Sequence, residues 1–353
     1  MPSLSYDLLL QSISAVDRSR EAALRSRVDG KAKPVGSLGR LEDLAVQLGL
    51  IWHPAPPRTG RAAVFMFAGD HGIAAENVSP YPASVTRMMV TACLNGTAGI
   101  NLLAQAAGAE VVVVDAGVNG DLPPHPELIN HKIRHGSRNS VVEPALTLAE
   151  ARQAITVAAE MVRHAIDDGL DIVAIGEVGI SNTTAAALLA HRLGPAPLAD
   201  CVGPGTGLDA AGVAHKLAVA GRAAARTDAT APLDVLAEFG GYEIAMMCGA
   251  ILGAASKRRP VMIDGFIAGS AALVAIRLVP AVRDYCVFSH RSAERGHGQM
   301  LRSLEAEPYF DLGLRLGEGT GAVLAVPLVR AAAGILNGMA DLADVLTASE
   351  AAS

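Results

Sequence analysis

A chain of 353 residues with 51% hydrophobic but only 3% aromatic side chains and 36 glycines can build a large core without disulfides or metals. Its formal net charge of -6, with Lys and Arg scattered along the chain, excludes the basic footprint of a nucleic-acid binder, and the scarcity of aromatics excludes a base-stacking platform. Cys93, Cys201, Cys248 and Cys286 are far apart with no C-x-x-C pair, so neither a zinc site nor a disulfide framework is indicated and buried reduced thiols are expected.

Residues 1–10 lack the basic stretch, apolar core and cleavage site of a signal peptide, which places the protein in the cytoplasm. Mean hydropathy is +0.33, yet Gly, charge or Pro cuts every long apolar run before about 18 residues, so no membrane span is expected. Residues 1–59 read as a helical segment interrupted by a turn at Lys33-Pro34-Val35-Gly36-Ser37-Leu38-Gly39-Arg40. Pro54, Pro56 and Pro57 mark a linker, and with it a domain boundary near 60.

From 60 to 294 short aliphatic runs at 62–68, 110–115, 171–175, 260–264 and 284–288 alternate with Ala-rich helical stretches. That alternation predicts an α/β nucleotide-binding domain with a Rossmann-like, mostly parallel sheet flanked by helices. Residues 295–353 return to helix, with 321–336 the longest apolar helical pattern. The helices of the two ends are expected to pack together as a small helical domain.

Most of the strand runs end in polar or glycine-rich turns, and ligands of open α/β sheets bind beyond the carboxyl ends of the strands. Gly176-Glu177-Val178-Gly179-Ile180-Ser181-Asn182-Thr183-Thr184 joins a strand to a helix, where free N–H groups and the positive dipole end could cradle a phosphate. The same residues suit an ordinary N-cap, and the acidic Glu177 among them favours the functional reading. Gly203-Pro204-Gly205-Thr206-Gly207 precedes a helical pattern that carries Lys216, either a phosphate ligand or a solvated surface lysine. In Leu316-Gly317-Glu318-Gly319-Thr320-Gly321 a carboxylate stands between glycines that let a ligand approach closely. Glu318 there is either a general base or a helix-capping residue. Asp70 and His71, after the first strand, read as turn and hydrogen-bonding residues, because no second His or Cys lies at metal-ligand spacing.

Together with Phe67-Ala68-Gly69-Asp70-His71-Gly72, Asp264-Gly265-Phe266-Ile267 and Ser289-His290-Arg291-Ser292-Ala293-Glu294, these segments resemble, in order from about residue 30 to 340, the nicotinate-nucleotide:dimethylbenzimidazole phosphoribosyltransferase family. The resemblance implies transfer of phosphoribose from nicotinate mononucleotide to 5,6-dimethylbenzimidazole, with inversion at C1 of the ribose, in assembly of the lower ligand of cobalamin. It assigns Glu318 as the base that takes the proton of the incoming benzimidazole and Glu177 as a stabiliser of positive charge on the ribose. Ser79, Gly176, Gly179, Ser181, Asn182, Thr183, Gly203, Gly205, Lys216, Ser289 and Leu316 are the implied substrate contacts. The two small molecules are the expected partners, without metal or cofactor. A homodimer is also implied, with residues 289–292 reaching across its interface. Ala83-Ser84 and Pro204 depart from the family pattern, which leaves room for another benzimidazole, a purine or a phenol as acceptor. A nucleotide-binding regulatory protein is the alternative from another class, and the pair Glu177 and Glu318 argues against it, because a mere binder gains nothing from two desolvated carboxylates.

Overall fold

The computed structural model describes residues 4–351. Its centre is a six-stranded parallel sheet formed by β1 (Arg61–Gly69), β2 (Glu110–Gly117), β3 (Leu128–Asn130), β4 (Leu170–Val178), β5 (Val261–Ile263) and β6 (Cys286–Phe288). The strand order is β3-β2-β1-β4-β5-β6, the doubly wound order in which the chain reverses direction between β1 and β4. All five expected strands are present, so the α/β reading holds. The three-residue edge strand β3 is additional.

β1 is buried from Ala62 through Gly69 without alternation, as a strand covered by helices on both faces must be. The abundance of small residues has a packing cause. Helix Leu148–Asp167 lies so close to helix Tyr242–Ser256 that a Cβ at Gly249 would stand 2.1 Å from the Ile155 carbonyl oxygen, and one at Gly253 2.7 Å from that of Ala159. All four cysteines are buried and unpaired.

The two ends of the chain meet. The Ala32 N–H donates to the Ala340 carbonyl at 2.8 Å, the Leu342 N–H to that of Gly30 at 2.9 Å, and helix Arg40–Trp52 packs on helix Val326–Asn337. Contrary to the expectation that no apolar run reaches spanning length, the 18 residues Thr320–Asn337 are long and apolar enough to cross a membrane. Gly321 and Pro327 do not cut this run, because Gly321 lies in the first helical turn and Pro327 opens the next helix, where its missing N–H costs little. Of this segment 61% is buried inside the protein, the place of a core helix.

Candidate active site

The carboxyl ends of β4, β5 and β6 open on a cavity of about 450 Å³. Glu177 and Glu318 both line it, although 141 positions separate them in the chain. Glu177 is the penultimate residue of β4, and its carbonyl accepts the Glu318 N–H at 3.0 Å. Glu318 has a φ of 60°, between Gly317 at 83° and Gly319 at 89°. Three successive left-handed residues make a turn that a non-glycine residue enters at a cost of roughly 1–3 kcal/mol.

Asp264, just after β5, holds that turn. Its Oδ1 accepts the N–H groups of Gly321 and Ala322 at 2.7 and 3.1 Å, and its Oδ2 that of Gly319 at 3.2 Å. His290, after β6, stands 3.3 Å from Asp264 Oδ1. The Glu318 carboxylate accepts the Ile100 N–H at 3.1 Å, in the first turn of helix Gly99–Ala107. Burial raises the pKa of Glu318, Asp264 adds to the rise, and the Ile100 N–H opposes it. Glu177 is pushed up to about 8, by burial first and then by Glu243, Asp264 and Glu318, against a hydrogen bond from Asn182 Nδ2.

Glu177, Glu318, Glu243 and Asp264 therefore crowd one another at the head of the sheet, and two of these four have imidazole partners. His71 lies 2.5 Å from Glu243, and His290 lies beside Asp264. Of these four, Glu177 and Glu318 have none among the described residues. These are also the two that line the cavity from glycine-flanked turns, as the sequence suggested.

At another corner Lys216, 1% exposed on helix Ala210–Ala225, donates to Thr183 Oγ1 at 2.7 Å and to the Gly203 carbonyl at 3.3 Å. Burial lowers its pKa to about 8, with Glu294 pulling the other way. Lys216 is thus a buried cation rather than a surface lysine. Gly205, with φ 56°, leaves no room for a side chain, since a Cβ there would meet Thr183 Oγ1 at 2.9 Å. Ser181 adopts φ 76° and makes no capping bond, and its buried hydroxyl has no partner among the described residues. The ordinary N-cap reading therefore fails for Ser181.

Of the expected substrate contacts, Gly179, Asn182, Thr183, Gly205 and Leu316 line the cavity, whereas Ser181, Gly203 and Lys216 do not. Gly176 does not: it lies under the Glu318 turn, where a Cβ would stand 2.3 Å from the Glu318 carbonyl oxygen. Ser289 is fully buried and its hydroxyl is spent on the Ile263 carbonyl at 2.5 Å. Its neighbours His290 and Ser292 line this chain's own cavity. Ser79 faces an adjoining hollow beside Asp70 and His71, with its hydroxyl 3.4 Å from Thr206 Oγ1. Asp264, Glu294 and Arg315 also line the cavity and were given no role from sequence. The remaining wall, including Tyr81, Val85, Met89, Val178, Ile180 and Phe266, is largely apolar and suits a flat hydrophobic ring.

A family model described as phosphoribosyltransferase, DBI_PRT, matches residues 13–345. The chain is 52% identical over 341 residues to the nicotinate-nucleotide--dimethylbenzimidazole phosphoribosyltransferase of Cupriavidus necator, covering 96% of this chain and 98% of that one. It is 49% identical over 330 residues to the protein of the same name from Roseiflexus sp., covering 93% and 94%. The crystal structure of CobT from Thermus thermophilus superposes with a TM-score of 0.89 at 43% identity, over 93% of this chain and 98% of that one. The chain belongs to the DBI_PRT family of phosphoribosyltransferases.

Proposed function

We propose that this enzyme transfers the 5-phosphoribosyl group of nicotinate mononucleotide to 5,6-dimethylbenzimidazole, giving α-ribazole 5′-phosphate and nicotinate. The observation that carries the reading is the meeting of Glu177 and Glu318, both buried and both raised in pKa, in one cavity that also has an apolar wall and, behind its lining residues Thr183 and Gly205, the buried Lys216.

One benzimidazole nitrogen attacks C1 of the ribose from the face opposite nicotinate, so C1 inverts. The bond from C1 to the pyridinium nitrogen breaks, its electron pair stays on that nitrogen, and nicotinate leaves with a neutral ring nitrogen and no need of a general acid. The proton on the other benzimidazole nitrogen passes to Glu318, whose raised pKa suits a base working near neutrality. Glu177 faces the ribose, where positive charge develops as in other glycosyl transfers. Lys216, Thr183, Gly205 and the N-terminus of helix Asn182–Leu193 hold the phosphate, and that remote binding orients C1. Tyr81 and Leu316 line the cavity yet are 51% and 58% exposed, which supports a homodimer that covers them.

The test is nicotinate release from nicotinate mononucleotide, followed by chromatography with and without the benzimidazole. Release that requires the base supports the reading. Absence of release with this base and with a panel of other benzimidazoles, purines and phenols would leave a nucleotide-binding protein.

A further inference from the structure

The residues proposed for the chemistry leave one buried charged pair unused. Glu243, in the first turn of helix Tyr242–Ser256, and His71, just after β1, are both fully enclosed and 2.5 Å apart. Three glycines make room for the Glu243 carboxylate. A Cβ at Gly69 would stand 2.8 Å from its Oε2, one at Gly241 2.5 Å from the same oxygen, and one at Gly179 3.4 Å from its Oε1. The Cβ position of Gly179 is also 3.4 Å from Asn182 Nδ2, the group that donates to Glu177. Glu243 and the Asn182 amide that orients Glu177 are therefore separated only by the width of a missing side chain.

Nothing in the proposed chemistry requires a buried carboxylate there. Glu243 Oε2 has no hydrogen-bond partner, and an uncompensated charge in such a place is costly. The carboxylates facing Glu177 are Glu243, Asp264 and Glu318, with Asn182 as its hydrogen-bond donor. Those facing His71 are Glu243 and Asp70.

We propose that His71 and Glu243 act as a positioning pair for Glu177, the imidazolium neutralising Glu243 so that Glu177 ionises beside the bound ribose. The pair touches neither substrate nor reacting atom. It acts through the field on Glu177 and through the packing of the β1 and β4 ends. Burial opposes the charge on His71, but Glu243 and Asp70 outweigh it and raise its pKa. The inference rests on the proposed role of Glu177 and adds two residues to it.

The two members have opposite signs, which gives a test that a merely structural role does not pass. The protonated carboxyl of Glu177 is followed by infrared titration of the whole protein, its band identified by its loss in Glu177→Gln. In His71→Gln, Glu243 is left uncompensated and the band should titrate at higher pH, by about 1 unit or more. In Glu243→Gln the repulsion is gone and the band should titrate at lower pH. In His71→Gln, kcat for nicotinate release should fall more than KM changes. Shifts in opposite directions support the pairing; unshifted bands, or shifts of one sign, overturn it. Either variant alone decides, because each has its own required direction. Should neither fold, the wild-type His71 ring, followed by NMR, must stay protonated through the range in which the Glu177 band titrates, and a ring that deprotonates below that range overturns the proposal. A wild-type protein that releases no nicotinate at any pH overturns the proposed function and this inference with it, whereas unshifted bands in an active protein overturn the inference alone.

Discussion

Gly176 and Glu318 compete for one place: the Glu318 carbonyl oxygen lies 2.3 Å from where a Cβ on Gly176 would be. The obstruction is backbone, so no side-chain rotation relieves it. Gly176→Ala should push the Glu318 turn out of the cavity and lower kcat by about 10²-fold or more, since small misplacements of catalytic groups cost about that much. Stability should fall by about 1–3 kcal/mol, the usual cost of overpacking. Chemical denaturation and nicotinate release on the same preparation check both effects. Full activity would show that the turn can move without losing the base.

Glu318→Gln keeps the size of the side chain and an oxygen for the Ile100 N–H but cannot take a proton. The expected outcome is a fall in kcat of about 10²–10⁴, the range of general base catalysis, with KM for nicotinate mononucleotide little changed. Because the carboxyl pKa is raised in the wild type, wild-type turnover should increase as pH climbs through that raised value, and the variant should lose this limb. Steady-state kinetics across pH tests it; a variant that keeps both rate and limb would move the role of base elsewhere.

Glu177, raised to about 8 in the empty cavity, holds its proton at pH 7. Nicotinate mononucleotide brings a pyridinium cation toward it, and a nearby opposite charge favours the ionised carboxylate. Binding should therefore release a proton at pH 7. Lys216 opposes this weakly, because a group lowered to about 8 is already mostly charged at that pH and takes up little when phosphate arrives. Calorimetry in two buffers of different ionisation enthalpy counts the protons. No release, or net uptake, would place the pyridinium away from Glu177.

How much of this was readable beforehand follows from the physics of each element. Five strands were legible because buried parallel strands are continuous aliphatic runs. β3 was not, because its three residues, Leu128 to Asn130, are half-exposed at a sheet edge and carry no such run. The two glutamates stood out through their glycine neighbours, but their meeting depends on where the crossovers place β4 beside β5. Ser79, Gly176, Ser181, Gly203, Lys216 and Ser289 were expected to touch substrate and do not line the cavity, while His290 and Glu177, next to Ser289 and Gly176, do. Successive residues at a strand end point to opposite sides, and which of two adjacent residues faces inward is a matter of register. Asp264 stood in one of the resembling segments but received no role, since its work is done on backbone N–H groups far along the chain.

Lys216 is buried against Thr183 and Gly203, so its charge is directed into the corner that Gly205 keeps open. Lys216→Met fills similar space without the charge. KM for nicotinate mononucleotide should rise about 10–100-fold, the equivalent of a lost charge-assisted hydrogen bond of about 1.5–3 kcal/mol. Nicotinate riboside, which lacks the phosphate, should be used equally by both proteins. An equal loss with both substrates would make Lys216 a support of the fold rather than a phosphate ligand.

Glu177→Gln separates function from stability. Unfolded, this carboxyl loses its proton near 4.5, whereas in the folded protein it keeps it to about 8. Between those values the folded state binds one proton more than the unfolded state, so wild-type stability falls as pH rises through that window. Glutamine carries no such dependence. The variant should therefore melt higher than the wild type, by little at pH 5 and by several degrees at pH 8, at roughly 2–4 °C per kcal/mol recovered. Its kcat should nevertheless drop, because the group that costs stability when ionised is the one proposed to face the ribose. Thermal melts at the two pH values decide: a difference in Tm that is equal at pH 5 and pH 8 would mean that Glu177 is already ionised in the empty cavity, and that the crowding by Glu243, Asp264 and Glu318 is relieved without the substrate.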